Sequence, residues 1–234
     1  MKGKVSIFDV DGTLSKSFYI VKFPEMLYKK GLFSKKKLGE INEIFEDYLK
    51  GSNYPYEQFA WDVVIAFGYG IKGKKWDDIK KMGKKYIQLH PEEKFPFTDS
   101  LVRMVKNKGY RTVIISGSPY EIILPFSMSL GIDEAFATTY EIDNGIFTGE
   151  VAQNCAIDKI KKKVIQKYLQ EYEIDLKIST GFGDSEHDLG FLEIVGYPVI
   201  IKPNKKLEEI AKKNRWLICK EDKKVLDSVK LYLP

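Results

Sequence analysis

The chain has 234 residues, of which 44% are hydrophobic and 13% aromatic, so it can bury a globular core and is not a disordered chain. Two cysteines are too few for a disulfide framework, and no stretch approaches the roughly 18 apolar residues of a membrane helix. The net charge is +5, and the first apolar run is too short for a signal peptide. We therefore expect a cytoplasmic protein without a membrane partner.

The first predicted strand, residues 5–8, leads into the motif Asp9-Val10-Asp11-Gly12-Thr13. Residues two apart in a strand point to the same face, so Asp9 and Asp11 can share one site beside an open glycine turn. Two carboxylates at close range repel each other unless a cation lies between them. The pair suits a metal-dependent nucleophile and acid–base site, although acidic glycine turns also occur as plain strand ends.

Residues 15–95 have a different periodicity from the rest of the chain. Their apolar positions recur at helical spacing in residues 23–27, 41–49 and 59–67. Residues 51–55 and 68–75 have the composition of connections. We predict a small helical domain here, inserted after the first strand.

The boundaries of this predicted insertion leave residues 1–14 and 96–234 for the core. Residues 15–95 hold 16 Lys/Arg and 11 Asp/Glu, an excess that equals the whole net charge of +5. Solvated helix surfaces explain such an excess. Attraction of an anionic substrate or, less readily, of nucleic acid explains it as well.

The second predicted strand, residues 111–115, leads into Ser-Gly-Ser-Pro at residues 116–119 and then into a helix. A hydroxyl and backbone N–H groups at a helix start suit a phosphate oxygen, although the same residues serve in ordinary turns and caps. Farther along, Asn144-Gly145 within residues 140–147 predicts a hairpin with a type I′ turn.

A lysine run and an acidic run follow. Lysines 159, 161, 162 and 163 open a predicted helix, where one of them can offset charge on a transferring phosphoryl group and the others form a solvated face. After the strand predicted at residues 178–182, Asp184 and Asp188 suit a hard cation such as Mg²⁺ or cap a helix. We leave His187 out of the predicted site, because a lone histidine there is more often a surface neighbour.

The later strands alternate with helices along the chain. The strands are predicted at residues 111–115, 178–182 and 198–201, and the helical patterns that precede them are at residues 100–108, 161–172 and 188–195. This alternation predicts an α/β fold with a parallel sheet, which binds ligands beyond the carboxyl ends of its strands. We expect each polar cluster to follow a parallel strand, so that all four converge on one edge.

These motifs, in this order, resemble those of haloacid dehalogenase superfamily phosphohydrolases, in the branch that includes phosphoserine phosphatase. The resemblance covers nearly the whole chain and implies a Rossmann-like parallel sheet core with a helical cap domain at residues 15–95. The resembling residues are Asp9-Val10-Asp11-Gly12-Thr13, Ser116, a lysine before the third strand, Gly183-Asp184-Ser185 with Asp188, and Ile146-Phe147-Thr148-Gly149-Glu150.

The resemblance implies a covalent mechanism. Asp9 attacks phosphorus and becomes an aspartyl phosphate, while Asp11 protonates the leaving oxygen and then activates water. Ser116 and the Gly117 amide hold the phosphoryl oxygens, and Thr13 belongs to the same substrate-binding group.

The resemblance also implies a metal and a catalytic lysine. Asp184 binds Mg²⁺ together with Asp9 and the Asp11 carbonyl, and Asp188 supports this site. We select Lys161 because it stands 23 positions before Asp184, with a buried stripe behind it. Lys159 and Lys162 stay open as alternatives.

One departure from the branch concerns the substrate. Phosphoserine phosphatases carry an acidic residue where this chain has Phe18 and a cap arginine near Val63, and residues 15–95 contain no arginine. Trp61, Phe67 and Tyr69 suggest an aromatic, less polar cap face, although such residues more often pack into a core. We predict a phosphatase for another small phosphorylated metabolite, as a monomer or homodimer.

Several alternatives stay open at this point. A phosphoserine phosphatase fits the motifs, and so does a phosphomutase or other phosphotransferase. A dehalogenase would need neither Asp11 as acid–base nor the metal carboxylates. A non-catalytic module that binds nucleic acid would leave the complete polar set without a purpose.

Overall fold

The computed structural model of the chain describes residues 3–51 and 54–234. Its strands are β1 (Lys4–Phe8), β2 (Tyr110–Pro119), β3 (Glu134–Asp143), β4 (Ile146–Gln153), β5 (Thr180–Gly183), β6 (Tyr197–Ile201) and β7 (Leu217–Cys219). They form one sheet in the order β4-β3-β2-β1-β5-β6-β7. Neighbouring strands are parallel except in the hairpin of β3 and β4. The predicted α/β fold with a parallel sheet is confirmed.

The helices fall into two groups. Between β1 and β2 lie α1 (Tyr19–Lys29), α2 (Lys35–Leu49), α3 (Tyr56–Ile71), α4 (Trp76–Leu89) and α5 (Thr98–Asn107). After β2 come α6 (Tyr120–Leu130), α7 (Asp158–Glu171), α8 (Leu189–Leu192), α9 (Lys205–Asn214) and α10 (Asp222–Tyr232). Residues 15–95, which contain α1 to α4, are called the helical segment below. Within residues 3–51 and 54–234, none of the helices combines the length and the hydrophobicity of a membrane-spanning segment.

The helical segment leaves and rejoins the sheet at one place. Ser15 pairs with Lys94 in an antiparallel bridge, and the Phe95 N–H donates to the Leu14 carbonyl at 3.2 Å. Buried side chains of the segment, such as Phe23 and Phe67, join one hydrophobic cluster with residues of the sheet. A second cluster covers the other face of the sheet. The segment is therefore packed against the sheet by a shared core.

Two predicted elements begin later or end sooner than the sequence indicates. The strand predicted at residues 178–182 starts only at Thr180, because Leu176–Ile178 form a short 3-10 turn capped by the Asp175 side chain. The helix predicted at residues 188–195 is the four-residue α8, which follows another 3-10 turn at Glu186–Asp188.

The connection predicted at residues 68–75 is wrong over its first part, because α3 continues to Ile71. A Cβ at Gly70 would lie 2.0 Å from Phe33 Cζ, so this glycine permits close packing inside the helix instead of ending it. The other predicted connection, residues 51–55, includes Ser52 and Asn53, which lie outside the described residues.

The predicted hairpin is confirmed. Asn144 and Gly145 have φ angles of 48° and 80°, as the two central residues of a type I′ turn require. The strands on both sides are longer than the pattern indicated. The first part of β3 also pairs in parallel with β2, which extends the sheet on that side.

The register of the central strands brings their ends together. Phe8 of β1 pairs with Ile114 of β2 and with Phe182 of β5. The rings of Phe8 and Phe182 stack with centroids 4.7 Å apart, and the Asp9 N–H donates to the Phe182 carbonyl at 3.0 Å. The residues that follow these three positions therefore meet at one edge of the sheet.

Candidate active site

Three carboxylates and one ammonium form the centre of the site. The Lys161 Nζ lies 2.8 Å from Asp9 Oδ1 and 2.8 Å from Asp188 Oδ1, and all three residues are buried. Carboxylate oxygens of Asp9, Asp184 and Asp188 lie within 4.8 Å of one another. This is a compact charged cluster at the carboxyl ends of β1 and β5.

Asp188 has both carboxylate oxygens engaged by the protein. Its Oδ1 pairs with Lys161, and its Oδ2 accepts from the N–H groups of Asp184 and Ser185 at 3.2 and 3.3 Å. Asp188 thus fixes both the lysine and the turn that carries Asp184. Asp9 Oδ2 and Asp184 Oδ2 have no hydrogen-bond donor among the described residues, so they are the freer ligand atoms of the cluster.

Gly12 and Thr13 shape the turn beside Asp184. The Thr13 hydroxyl is buried and donates to Asp184 Oδ1 at 3.4 Å. Gly12 has a φ of 92°, and a Cβ there would lie 2.3 Å from Asp184 Oδ2. Position 12 therefore requires glycine for two reasons, the positive φ angle and the close approach of the Asp184 carboxylate.

Asp11 faces different partners from Asp9. Its Oδ1 accepts from the Tyr19 N–H at 2.8 Å, at the start of α1, and its Oδ2 accepts from the Ser116 hydroxyl at 3.0 Å. Burial raises the pKa of Asp11, while the bonds from Tyr19, Ser118 and Ser116 act in the opposite direction. A carboxyl whose pKa is raised holds a proton more readily, which suits a general acid.

The end of β2 supports Asp11 and the helical segment together. The turn predicted at residues 116–119 is wrong in form, because β2 continues to Pro119 with a register shift against β3 between Ser116 and Pro119. Ser116 is buried, and its Oγ accepts from the Ser118 N–H at 3.0 Å while donating to Asp11. The Ser118 hydroxyl in turn accepts from the Ile20 N–H at 3.1 Å. Gly117 lines the cavity beside the acidic cluster. The end of β2 therefore reaches the site and also holds the start of α1.

Lys161 is the buried member of the lysine run, whereas Lys159, Lys162 and Lys163 are exposed. The prediction that each polar cluster follows a parallel strand is wrong for Lys161. It lies in the first turns of α7, after β4, whose pairing with β3 is antiparallel. The helix, instead of a strand end, carries its side chain to the sheet edge.

The charge balance of the cluster favours a divalent cation. Asp9, Asp11, Asp184 and Asp188 place four carboxylates around one lysine in the part of the chain that the structure describes. Burial raises the pKa of Asp9, Lys161 lowers it, and Asp188 and Asp11 raise it further. Burial and the charges of Asp188 and Asp9 likewise raise the pKa of Asp184. An oxygen-rich, negatively charged cluster of this kind fits Mg²⁺.

A cavity of about 210 Å³ lies between this cluster and the helical segment. Asp9, Asp11, Lys161 and Asp184 line its inner end. The opposite wall comes from the helical segment, and it includes Phe18, Ile20, Tyr48, Phe59, Val63 and Val64. The two positions compared above with the charged residues of phosphoserine phosphatases, Phe18 and Val63, both face this cavity.

The prediction that Trp61, Phe67 and Tyr69 form an aromatic face of the cap is wrong, because none of the three lines the cavity. Phe67 is fully buried and packs on Phe23, Phe33 and Tyr140, while Trp61 and Tyr69 are 37% and 39% exposed outside the cavity. Core packing, the alternative for such residues, holds for Phe67. The aromatic lining exists, and other side chains of the helical segment supply it.

Sequence reasoning missed Tyr56 and His187. Their rings stack with centroids 3.3 Å apart and planes 9° apart, and both line the cavity. His187 belongs to the turn after β5, and Tyr56 opens α3, so the pair joins the sheet edge to the helical segment. The adjacent acidic motif was the available signal for His187, and a contact so distant in sequence leaves no local signal for Tyr56.

Comparison with known proteins gives consistent results. A family model described as haloacid dehalogenase-like hydrolase matches residues 7–193. A protein of Mycobacterium tuberculosis named phosphoserine phosphatase is 26% identical over 216 residues, which cover 91% of this chain and 69% of that protein.

Solved structures show the same fold. A protein of unknown function from Bordetella pertussis superposes with a TM-score of 0.77 at 18% identity, covering 94% of this chain and 99% of its own. A substrate-bound phosphoserine phosphatase complex superposes with a TM-score of 0.71 at 19% identity, with 100% of both chains covered. The family match takes in the end of β1, the whole of β2 to β5, and the carboxylates of the site. The chain belongs to the haloacid dehalogenase-like hydrolase family, as its motifs predicted.

Proposed function

We propose that the chain is a Mg²⁺-dependent phosphatase that hydrolyses a small phosphomonoester through an aspartyl phosphate on Asp9. The observation that carries this proposal is the 2.8 Å pair of Asp9 and Lys161 at the inner end of the cavity, beside Asp11. A carboxylate held next to an ammonium in a buried site is suited to attack a phosphate ester, because the ammonium offsets the charge that develops. Relatives named phosphatases support the same reaction class.

In the first step, an Asp9 oxygen forms a bond to phosphorus while the bond from phosphorus to the ester oxygen breaks. Asp11 gives its proton to that oxygen, and the alcohol leaves. In the second step, Asp11 takes a proton from a water molecule whose oxygen attacks the aspartyl phosphate and releases inorganic phosphate. The raised pKa of Asp11 supports its role as the proton carrier.

The remaining residues hold the phosphoryl group and its charge. We assign the Gly117 N–H to a phosphoryl oxygen and Lys161 to charge compensation. The Ser116 hydroxyl donates its one proton to Asp11, so it would bind a phosphoryl oxygen only after releasing Asp11. Thr13 supports Asp184 through its buried hydroxyl. Asp9, Asp184 and the Asp11 carbonyl would hold Mg²⁺, with Asp188 in support. When bound, the metal reduces the repulsion between the attacking carboxylate and the phosphate dianion.

We further propose that residues 15–95 act as a cap that selects the leaving group, and that phosphoserine is not the preferred substrate. Phe18 and Val63 line the cavity and are uncharged, so they supply neither a carboxylate for an amino acid's amine nor a cation for its carboxylate. Phosphoserine phosphatase activity remains the second candidate, since relatives carry that name. A phosphotransferase would use the same residues and return the phosphoryl group to a second alcohol instead of water.

The test is inorganic phosphate release from a panel of phosphomonoesters, with Mg²⁺ and with a chelator. Asp9→Asn removes the nucleophile and should lower kcat by at least about 10³-fold. Asp143→Asn is the matched control, because it makes the same change on an exposed residue of the hairpin and should leave kcat unchanged. Equal rates for Asp9→Asn and the native protein would contradict the mechanism, and transfer to an added alcohol would favour the phosphotransferase.

A further inference from the structure

The wall of the cavity opposite Asp9 is uncharged. The helical segment lines this wall with aromatic and aliphatic side chains, including one alanine. Among the described residues of this wall, the only polar side-chain groups are the hydroxyls of Tyr48 and Tyr56. A charged leaving group would lose its water shell against this wall without gaining a partner, which is unfavourable for an unpaired ion. The wall therefore disfavours amino-acid and other zwitterionic leaving groups.

The polar side chains nearest this wall are already engaged. Asn204 donates to Glu186 at 2.6 Å and accepts from the Leu207 N–H at 2.9 Å. His187 has one ring face covered by Tyr56, and its Nε2 lies 3.7 Å from Glu186 Oε1. Asn204 is a neutral amide with both its donor and its acceptor in use, and Glu186 already pairs with His187, so neither Asn204 nor His187 supplies an unpaired charge to a leaving group.

The uncharged wall is also held in place before a substrate arrives. The Tyr48 and Phe59 rings stack with centroids 4.2 Å apart, and Phe18 lies against Phe45 with centroids 5.5 Å apart. The cavity of about 210 Å³ is smaller than the roughly 300–1,000 Å³ of pockets for drug-sized ligands, so the leaving group must be small. Burial of the hydrocarbon part of an alcohol against this apolar wall favours binding.

We propose that the substrate class of this site is phosphate monoesters of small, uncharged, apolar alcohols. This inference rests on the phosphatase activity proposed above and specifies its leaving group. The charged end of the cavity receives the phosphoryl group, and the aromatic wall receives the hydrocarbon part of the alcohol.

The first experiment compares kcat/KM for benzyl phosphate, butyl phosphate, phosphoethanolamine and phosphoserine at one Mg²⁺ concentration. All four release a primary alcohol, so the comparison avoids the intrinsically better leaving group of an aryl phosphate. We expect benzyl and butyl phosphate to exceed the two charged substrates by at least about tenfold. Equal or greater kcat/KM for phosphoserine or phosphoethanolamine overturns the proposal and leaves the phosphatase function standing.

The second experiment changes the wall itself. Phe18→Glu adds a carboxylate at a residue that is 39% exposed, so the variant should fold. It should lower kcat/KM for benzyl phosphate by about tenfold and shift the preference toward the cationic phosphoethanolamine. Ile65→Glu is the control, since Ile65 is also 39% exposed and does not line the cavity. If the ratio of kcat/KM for benzyl phosphate to that for phosphoethanolamine were the same in Phe18→Glu as in the native protein, the wall would not select the leaving group.

A binding measurement separates the two proposals. Calorimetry with benzylphosphonate and aminoethylphosphonate, which are not hydrolysed, reports the leaving-group preference without turnover. Tighter binding of benzylphosphonate supports the inferred substrate class even if no ester is hydrolysed. The absence of hydrolysis would overturn only the phosphatase function. Tighter binding of aminoethylphosphonate contradicts the inferred class whatever the activity.

Discussion

On the sheet side of the cavity, Lys161 contacts Asp9 and Asp188 at 2.8 Å, and Asp11 accepts two hydrogen bonds of 2.8 and 3.0 Å. The helical segment on the other side supplies rings and aliphatic chains without a charge. Catalytic side chains need partners at fixed distances, because those distances set the charge and the protonation state of the side chains. A wall that only binds an alcohol needs a matching shape and polarity. The two sides can therefore change independently, and the following predictions test how far this separation holds.

The largest effect is expected from the charged side. Lys161→Met keeps an unbranched side chain and removes the ammonium, so kcat for phosphate release should fall by about 10²–10³-fold. The buried Asp9 and Asp188 then lose their counter-ion, and breaking such a pair costs about 3–5 kcal/mol in the free energy of unfolding. Urea unfolding in Mg²⁺-free buffer measures the second effect.

Lys162→Met is the matched control for this prediction. Lys162 is the next residue of α7 and is exposed, so both the activity and the unfolding free energy should stay close to the native values. If Lys162→Met lost activity as Lys161→Met does, the lysine would have been assigned wrongly. If Lys161→Met kept full activity, the charged side would not need its cation.

The charged side was also the more predictable from sequence. Asp9 and Asp184 follow strands that pair in register, so the rule that parallel strand ends meet at one edge was enough to bring them together. Lys161 was selected by its spacing to Asp184, which the family resemblance implies, together with the buried stripe behind it. The uncharged side was predicted as helical, and the resemblance identified two of its cavity residues, Phe18 and Val63, while Tyr48, Tyr56 and Phe59 were not identified. Which face of α3 meets the sheet depends on contacts between distant parts of the chain, as Tyr56 and His187 illustrate.

Local composition explains the missed elements outside the site. Helix α9 has two buried residues, Leu207 and Ala211, among lysines and glutamates, and β7 has three residues. Neither has enough apolar residues to stand out by periodicity. Both depend on packing against β6, which only the folded sheet supplies.

The next prediction concerns the contact of α6 with the helical segment. Glu121 is 3% exposed, and it accepts from the Trp76 indole N–H of α4 at 3.2 Å. Its other oxygen has no partner among the described residues. Burial raises the pKa of Glu121 from 4.5 to about 7, so the folded state holds this proton more tightly than the unfolded state.

The sign of the pH effect follows from that difference. The Glu121 contribution to the free energy of unfolding falls as pH rises from about 4.5 to 7, and it then stays low. Glu121→Gln should stabilise the protein by about 3 kcal/mol at pH 8 and by much less at pH 5, measured by urea unfolding. Glu171→Gln, on the exposed surface of α7, should change neither value. A pH-independent effect of Glu121→Gln would contradict this account.

A smaller effect is expected where both sides share one hydrogen-bond network. Ser116→Ala removes the donor to Asp11 and the acceptor of the Ser118 N–H. A hydrogen bond to a charged group contributes about 1.5–3 kcal/mol, so kcat/KM should fall by about tenfold to a hundredfold. Ser129→Ala, an exposed serine of α6, should have no effect. Native kcat/KM in Ser116→Ala would show that Asp11 does not depend on this support.

The smallest effect belongs to the ring pair that joins the two sides. Tyr56 and His187 stack at 3.3 Å, and burial lowers the pKa of His187, so its ring is neutral at pH 8. A double-mutant cycle with Tyr56→Leu and His187→Leu should give a coupling of about 0.5–1.5 kcal/mol in the free energy of unfolding at that pH. Because the pair connects α3 to the turn that carries Asp184 and Asp188, each single variant should also raise KM more than it lowers kcat. His90→Leu, which changes a half-buried histidine beside Tyr86 and outside the cavity, should leave KM unchanged. A coupling near zero would mean that the uncharged wall is held against the sheet edge without this stack, and the two sides would then be separate in stability as well as in chemistry.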